Sequence, residues 1–597
     1  VQHSPQKHLR DRLIRILLLV LVGFVATTSI ASYCTREIRS QSFEQRLDEV
    51  PARIVARMSL EEKVGQLIHI GMVGKRPAGG VINNISKYRV GGVIHFAANF
   101  GTADEIRVLN NGLQQHSIAT TGIPLLISTD QEGGRVYRVG ADGVEQFPGA
   151  MALGQTGNEL YAEDVGFITG YRLRNLGINF VLAPVVDVNN NPDNPVINTR
   201  SPGSDPELVS RIGVAYVRGM HDSLAIPVIK HFPGHGDTDV DSHLALPRIN
   251  RTLAQLESTE LKPFRAAIQD GGAEVVMSAH ILFPALDTEN PATLSPYILK
   301  ELLRKQLHFD GIIISDAMEM DAISKRYSYA EAAVRAFQAG IDIILLTGEG
   351  PYIDQIYSSL LSAFQTGRLP IADLNRAVER QVELKLTSGL FHKWKAPFIE
   401  DPRVIPDVLA AANHFQQKEQ NARNHLAAIE RRYTEKGTNL NIQVSRDSIT
   451  SLRKPFHGIE PDTRTHAVLL SSQSIMRAEA RSMSISTERL LWKSNSNDIY
   501  ALLRTRQKGQ IWLVELSTYS DLQIWNRAIS RINANAELSS KGAIIGLYSG
   551  NPFMEITIPT NGAVLASYST TEESRKALVY RALSGHYVKQ ADLMLPD

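Results

Sequence analysis

Ile226-Pro227-Val228-Ile229-Lys230-His231-Phe232-Pro233-Gly234-His235-Gly236 is a short apolar run that breaks into a loop of ionisable residues. The run reads as a buried strand, and the loop goes on to carry Asp237, Asp239, Asp241 and His243. A core strand whose carboxyl end opens into titratable groups is how α/β barrels place their chemistry. A polar surface loop is the plainer reading and, for loops in general, the commoner one. The density of ionisable groups directly after a core strand tells against it here. Metal binding would use His and Asp, but the chain has one Cys, far away, and no HExxH pattern.

Seven further apolar runs are of the same kind, at 66–70, 92–96, 124–128, 180–184, 275–278, 311–315 and 342–346. Their near-continuous apolarity fits parallel strands covered on both faces. Helical periodicity fills most of the gaps, over 103–116, 159–176, 206–222, 252–269, 296–307, 329–339 and 352–365. Eight strand–helix units in about 300 residues predict an α/β fold of the (β/α)8 TIM-like barrel kind, its first two units the least regular. Polar residues cluster where the runs end: Asp130 to Arg135, Asp187, Lys230-His231, His280, and Asp316 to Met320. Those carboxyl ends share one mouth in a barrel.

The flanks divide the chain further. Its 597 residues allow two or three domains. Arg10, Arg12 and Arg15 precede an apolar run from Ile16 to Ala31, so residues 1–34 read as a signal peptide or a membrane anchor. Cys34 lies where a lipidated cysteine would, but Tyr33 before it is larger than such signals use. Residues 35–395 form the catalytic barrel with a helical lead-in, where Ser59 and Glu62 have capping-box spacing. A linker and crossing helix are expected over 396–464. Strands at 467–470, 511–514, 543–547 and 563–567 predict a smaller C-terminal α/β sandwich domain over 465–597. A net charge of +1 calls for neither nucleic acid nor an acidic polymer.

Asp316 follows an apolar strand run and could serve as the carboxylate nucleophile of a retaining glycosidase. It could equally be the N-cap of the next helix. Asp241 and His243 lie two apart, so in an extended segment they point the same way. The carboxylate could then orient the imidazole and favour its protonated form. A His starts near pKa 6.5, and a neighbouring carboxylate raises it towards the range useful for proton donation.

Asp130-Gln131-Glu132-Gly133-Gly134-Arg135-Val136 with Arg138, then Lys230 to Gly236 closing on Asp241-Ser242-His243, then Ser315-Asp316-Ala317-Met318 resemble glycoside hydrolase family 3. Within it they resemble the bacterial β-N-acetylhexosaminidases. The resemblance spans roughly residues 55–390, and Tyr548 to Phe553 is similar to the second domain of the longer members. It implies a covalent intermediate on Asp316, His243 as general acid/base and Asp241 as its orienting partner. It implies substrate contacts from Asp130, Arg138, Arg200, Lys230 and His231, with His235 and His280 supporting them. No metal and no cofactor is implied, and the partner is a carbohydrate. Many Gram-negative members are single cytoplasmic barrels. The apolar N-terminus and extra domain here resemble exported members that trim N-acetylglucosamine from cell-wall fragments outside the cytoplasmic membrane. Two alternatives stay open. One is a phosphorylase, because an imidazole base need not repel phosphate as a carboxylate would. The other is a non-catalytic cell-wall-binding protein.

Overall fold

The computed structural model describes residues 49–239, 241–242, 245–391, 405–435, 438–451 and parts of 456–588. The segment 1–34 with Cys34, and His243, lie outside the described residues. Each of the eight apolar runs contains a parallel strand: β1 (Ile68–Ile70), β2 (Gly92–His95), β3 (Leu126–Thr129), β6 (Phe180–Val181), the interrupted pair β7 (Ile226–Pro227) and β8 (Ile229–Phe232), β9 (Val275–Ser278), β10 (Ile312–Ser315) and β11 (Ile344–Leu345). A small antiparallel hairpin, β4 (Gln131–Gly133) with β5 (Val136–Tyr137), rises from the end of β3.

The strands pair in the order β11-β1-β2-β3-β6-β7 and, separately, β10-β9-β8. Single parallel bridges, Ile314 with Ile343 and Val185 with Lys230, run between the two sets. Strand side chains alternate between two clusters, as the pleat dictates. Ile94, Leu126, Phe180, Val228, Met277, Ile314 and Leu345 pack with one another. Their neighbours Val93, Ile127, Val181, Ile229, Val276, Ile313 and Ile344 pack into the larger core under the helices.

The helices start and stop where local chemistry says they should. Ser59 and Glu62 form the expected capping box, and Thr102 with Glu105 forms another at the head of Ala103–Thr121. Asp205 caps Pro206–Asp222 with Pro at its first position. The helix expected over 252–269 is instead two, Leu253–Ser258 and Leu261–Gln269. Pro263 has no N–H to give the carbonyl four residues back, so the ladder breaks at Thr259.

The helix Ile405–Thr434 ends against the barrel-side helix Glu159–Asn175, where Tyr433 Oη and Arg432 Nη1 reach Asp164 Oδ2 at 2.6 and 2.7 Å. Beyond it lie β12 (Thr450–Ser451), β13 (Phe456–His457), β14 (Ala467–Ser471), β15 (Ser486–Arg489), β16 (Ile511–Leu516), β17 (Ala543–Tyr548), β18 (Gly562–Ala566) and β19 (Tyr587–Val588). Six of them form a sheet in the order β12-β18-β17-β16-β14-β15, parallel except at the β12 edge. Strand β12, inside the stretch read as linker, thus belongs to this sheet. Met151 and Ala152, from the helix Ala150–Thr156, pack into the same cluster as Trp512, Trp525, Tyr548 and Tyr568 of this second region. No helix among the described residues is long and apolar enough to cross a membrane.

Candidate active site

A cavity of about 720 Å³ opens at the carboxyl ends of the parallel strands. Asp130, Arg138, Arg200, Lys230, His231, Asp241 and Asp316 all line it, drawn from positions up to 186 residues apart. Glu132, Arg135, His235, Ser242 and Glu319 line it too. Each side chain gets there by strand geometry. Lys230 and His231 lie on β8, Asp316 directly follows β10, and Asp130 joins β3 to β4. Arg200 closes the short turn Asn198–Arg200, entered by Asn198 at φ 47°.

Lys230 is buried, and its Nζ lies 2.7 Å from both Asp130 Oδ1 and Glu132 Oε1. Arg200 meets the same Glu132 with two bonds of 2.8 Å, Nε to Oε2 and Nη2 to Oε1. Burial alone would raise the Glu132 carboxyl. The Arg200 and Lys230 charges outweigh it and hold Glu132 well below the usual carboxylate range. Burial likewise works to lower Lys230, and Asp130 and Glu132 together leave it raised. Glu132, Lys230 and Arg200 are thus each shifted towards their charged forms and hold one another in place. Arg138 differs: its Nε is buried with no hydrogen-bond partner among the described residues. A buried donor in that state is costly unless something else accepts from it.

Asp187, fully buried, ties down the turn that carries two histidines. Its Oδ2 lies 2.8 Å from His231 Nδ1, and its Oδ1 accepts from His231 N at 3.1 Å and His235 N at 2.8 Å. The His231 ring is thereby aimed into the cavity, with Nε2 3.4 Å from Arg200 Nη2. Burial acts to raise Asp187, but His231 and its hydrogen bonds prevail and leave it low.

Asp316 is not a helix cap. The next helix, Asp321–Ser324, begins after Met320, and Asp316 Oδ1 accepts the Ala317 N–H at 2.7 Å. No other hydrogen bond reaches its carboxylate among the described residues, which leaves Oδ2 for chemistry. Burial pushes this carboxyl up, while His231, His280, the Ala317 N–H and Lys230 pull it down further, so it is held below its ordinary value. His280 sits behind it, Nε2 3.0 Å from Ala317 O and Nδ1 2.8 Å from Thr293 Oγ1. An ionised carboxylate with one oxygen uncommitted, beside donors and acceptors suited to hydroxyls, is equipped to attack a polarised carbon.

Glu132 and Asp187 are named in the sequence reading only as polar strand ends, with no role in the site. Glu132 had a signal: in an extended stretch, residues two apart share a face, so it points with Asp130. Asp187 was visible as a polar strand end, but its three bonds to residues 44 and 48 positions away were not.

The model of the glycosyl hydrolase family 3 N-terminal domain matches residues 59–384, more than half of the chain. The chain belongs to glycosyl hydrolase family 3. Beta-hexosaminidase A of Pseudoalteromonas piscicida is 37% identical over 322 residues, which cover 50% of this chain and 54% of that protein. The match thus spans about half the length of that curated relative. Beta-hexosaminidase LpqI of Mycobacterium tuberculosis is 35% identical over 350 residues, covering 56% of this chain and 85% of that one. Among solved structures, a family 3 β-N-acetylglucosaminidase from Paenibacillus sp. superposes with a TM-score of 0.74 at 30% identity. That superposition covers 90% of this chain and 100% of the other. The resemblance read from the sequence, to this family and to its bacterial β-N-acetylhexosaminidases, is borne out.

Proposed function

We propose that this chain is a retaining exo-β-N-acetylglucosaminidase that removes terminal N-acetylglucosamine from peptidoglycan-derived glycans. The observation that carries this reading is Asp316: an ionised carboxylate with one uncommitted oxygen, in a cavity already furnished with the Asp130–Lys230–Glu132–Arg200 network. Relatives named beta-hexosaminidase support the choice of sugar.

In this mechanism Asp316 attacks the anomeric carbon and forms a glycosyl ester as the bond to the leaving oxygen breaks. His243 donates its proton to that oxygen. A water then replaces the leaving group, gives a proton back to His243, and its oxygen opens the ester with the starting configuration restored. The assignment of His243 rests on the sequence. Asp241 and Ser242, the two residues before it, line the cavity, which supports it. Asp130 accepts from sugar hydroxyls while Lys230 Nζ holds its Oδ1 in place, and Arg138, Arg200 and His231 complete the sugar's contacts.

The two parallel sheets, with their single bridges and one shared inner cluster, are read as a closed (β/α)8 barrel, followed by a smaller α/β sandwich domain. The export or anchoring of the protein through residues 1–34, facing the periplasm or cell exterior, is part of the same proposal. The test is hydrolysis of an aryl N-acetyl-β-glucosaminide beside the matching β-glucoside, with and without phosphate. Turnover of the N-acetyl sugar alone, unchanged by phosphate, is the expected result. A sugar 1-phosphate as main product would replace hydrolysis by phosphorolysis, and no turnover of either would overturn the reading.

A further inference from the structure

The buried imidazole of His235 has no place in the mechanism above, yet it touches the loop on which that mechanism depends. It is 2% exposed. Its Nε2 lies 3.0 Å from the Ser242 hydroxyl and its Nδ1 lies 3.1 Å from the Thr238 hydroxyl. Ser242 is itself buried and stands between Asp241 and His243.

The surroundings of this ring are unusually fixed. Its backbone N–H donates to Asp187. Its carbonyl accepts from Asn194 Nδ2 at 2.8 Å, and the same amide nitrogen reaches Gly236 O and Thr238 Oγ1 at 3.0 and 3.2 Å. Burial, with the His231 charge second, pushes His235 down to about 4, against the pull of Asp187. The ring is therefore neutral at working pH, one nitrogen donating and the other accepting. Hydroxyls on both sides can take either role, so either tautomer completes both bonds. Contacts on both sides thus fix the orientation of this ring.

We infer that His235 is a positioning residue: by holding the Ser242 hydroxyl it fixes the loop at Asp241 and Ser242, which line the cavity directly before His243 in sequence, and so supports proton transfer. This rests on the assignment of His243 as acid/base. A chain of contacts then links the floor of the site to the residue before the proposed acid: Asp187 holds His231 and the His235 backbone, and His235 holds Ser242. One buried carboxylate thereby sets both the substrate side and the proton-donating side. A loop held this way loses less freedom when it engages substrate, which is the part of the barrier that orientation removes.

Acid assistance matters most for poor leaving groups. Ser242→Ala should therefore lower kcat/KM, which reports the step that needs the acid, about tenfold for a disaccharide or alkyl glycoside, a fraction of the 10²–10⁴ that a positioned general acid supplies. For an activated nitrophenyl glycoside kcat/KM should change by less than about twofold, and any fall in its kcat should come with an equal fall in KM, because His243 also serves as base when the ester is opened. Ser242→Thr keeps the hydroxyl and should restore the loss. His235→Ala should reproduce the leaving-group split, and the double variant should be no worse than the worse single one, since both remove the same contact. Thermal unfolding of each variant separates this from misfolding, and the Thr rescue stands even where Ala is unstable. Equal losses on both substrates, no rescue by Thr, or additive losses in the double variant would overturn the inference. His243→Ala run in parallel separates the two levels. If it shows the split and Ser242→Ala does not, only the role of His235 and Ser242 fails. If it shows none, the acid assignment fails and this inference falls with it.

Discussion

Lys230 and Lys385 are both buried, at 2% and 0% exposure, and they lie at opposite ends of the parallel strands. Lys230 stands at the carboxyl ends with two carboxylates 2.7 Å from its Nζ, and it is raised despite its burial. Lys385, on the helix Ile371–Thr387, stands at the amino ends. Its Nζ donates to Gln66 Oε1 at 2.8 Å and Gly91 O at 3.1 Å, both neutral, and burial pushes it down to about 7. The adjacent His69 is driven well below its ordinary value, by burial first and Lys385 second. The same side chain under the same desolvation takes opposite shifts, so the partners decide, not the depth. The cavity surrounds Lys230 with carboxylates, while the groups around Lys385 are polar and neutral. Charge is not absent from the amino ends, since Asp342 just before β11 pairs with Arg304 and Arg380; it is kept away from Lys385.

The comparison is broken most completely by removing charge at the mouth. Asp316→Asn should lower kcat by about 10³-fold or more, because the amide cannot form the glycosyl ester on which the reaction depends. Retention of more than about a few per cent of activity would remove Asp316 from that role. The matching change at the opposite end, Lys385→Met, should leave kcat within about twofold, since it touches nothing in the cavity.

Lys230→Met comes next. It leaves buried Glu132 and part-buried Asp130 without their shared cation, and removing one partner of a buried ion set costs about 3–5 kcal/mol. Arg200 still holds Glu132 through two bonds, which places the expected loss at the lower end of that range. Activity should fall about 10²-fold as Asp130 loses its fixed orientation. Urea unfolding beside steady-state rates gives both numbers, and an unchanged midpoint would show the mouth to be less tightly coupled than its distances imply. Arg200→Lys is milder. A point charge cannot make both 2.8 Å bonds to Glu132, so KM should rise about tenfold with kcat less affected.

The sequence carried much of this contrast, but unevenly. Every apolar run became a strand because strands covered on both faces need apolar residues at successive positions. The polar strand ends pointed to the mouth, and Asp130, Arg138, Arg200, Lys230, His231, Asp241 and Asp316 do line one cavity. What stayed hidden were partnerships across long separations. Glu132 is the common partner of Lys230 and Arg200. That convergence depends on the stagger of strands 50 to 100 residues apart, which no local pattern encodes. Lys385 was hidden for the opposite reason. It sits in a helical pattern where a lysine ordinarily faces water, and only packing shows that this one does not.

The smallest effect tests the neutral surroundings of Lys385 directly. An unfolded lysine has a pKa near 10.4, and the folded value here is about 7. Between those two pH values the unfolded chain binds a proton that the folded one lacks. Stability therefore rises with pH across that window, by up to about 1.4 kcal/mol per unit for one group. Below about pH 7 both states are protonated, the slope vanishes, and the cost of burying the ammonium is present in full. Other groups titrate in the same range, so the readout is the difference between wild type and Lys385→Met in urea unfolding at about pH 7, 8 and 9. That difference should move steadily in favour of wild type as pH rises, because the methionine carries no proton to lose. His69, already neutral, adds nothing to the slope. A flat difference would mean that Lys385 keeps its charge when folded, with Gln66 and Gly91 O solvating an ammonium as well as two carboxylates do for Lys230, and the contrast between the two ends would then be one of partners without a difference in charge.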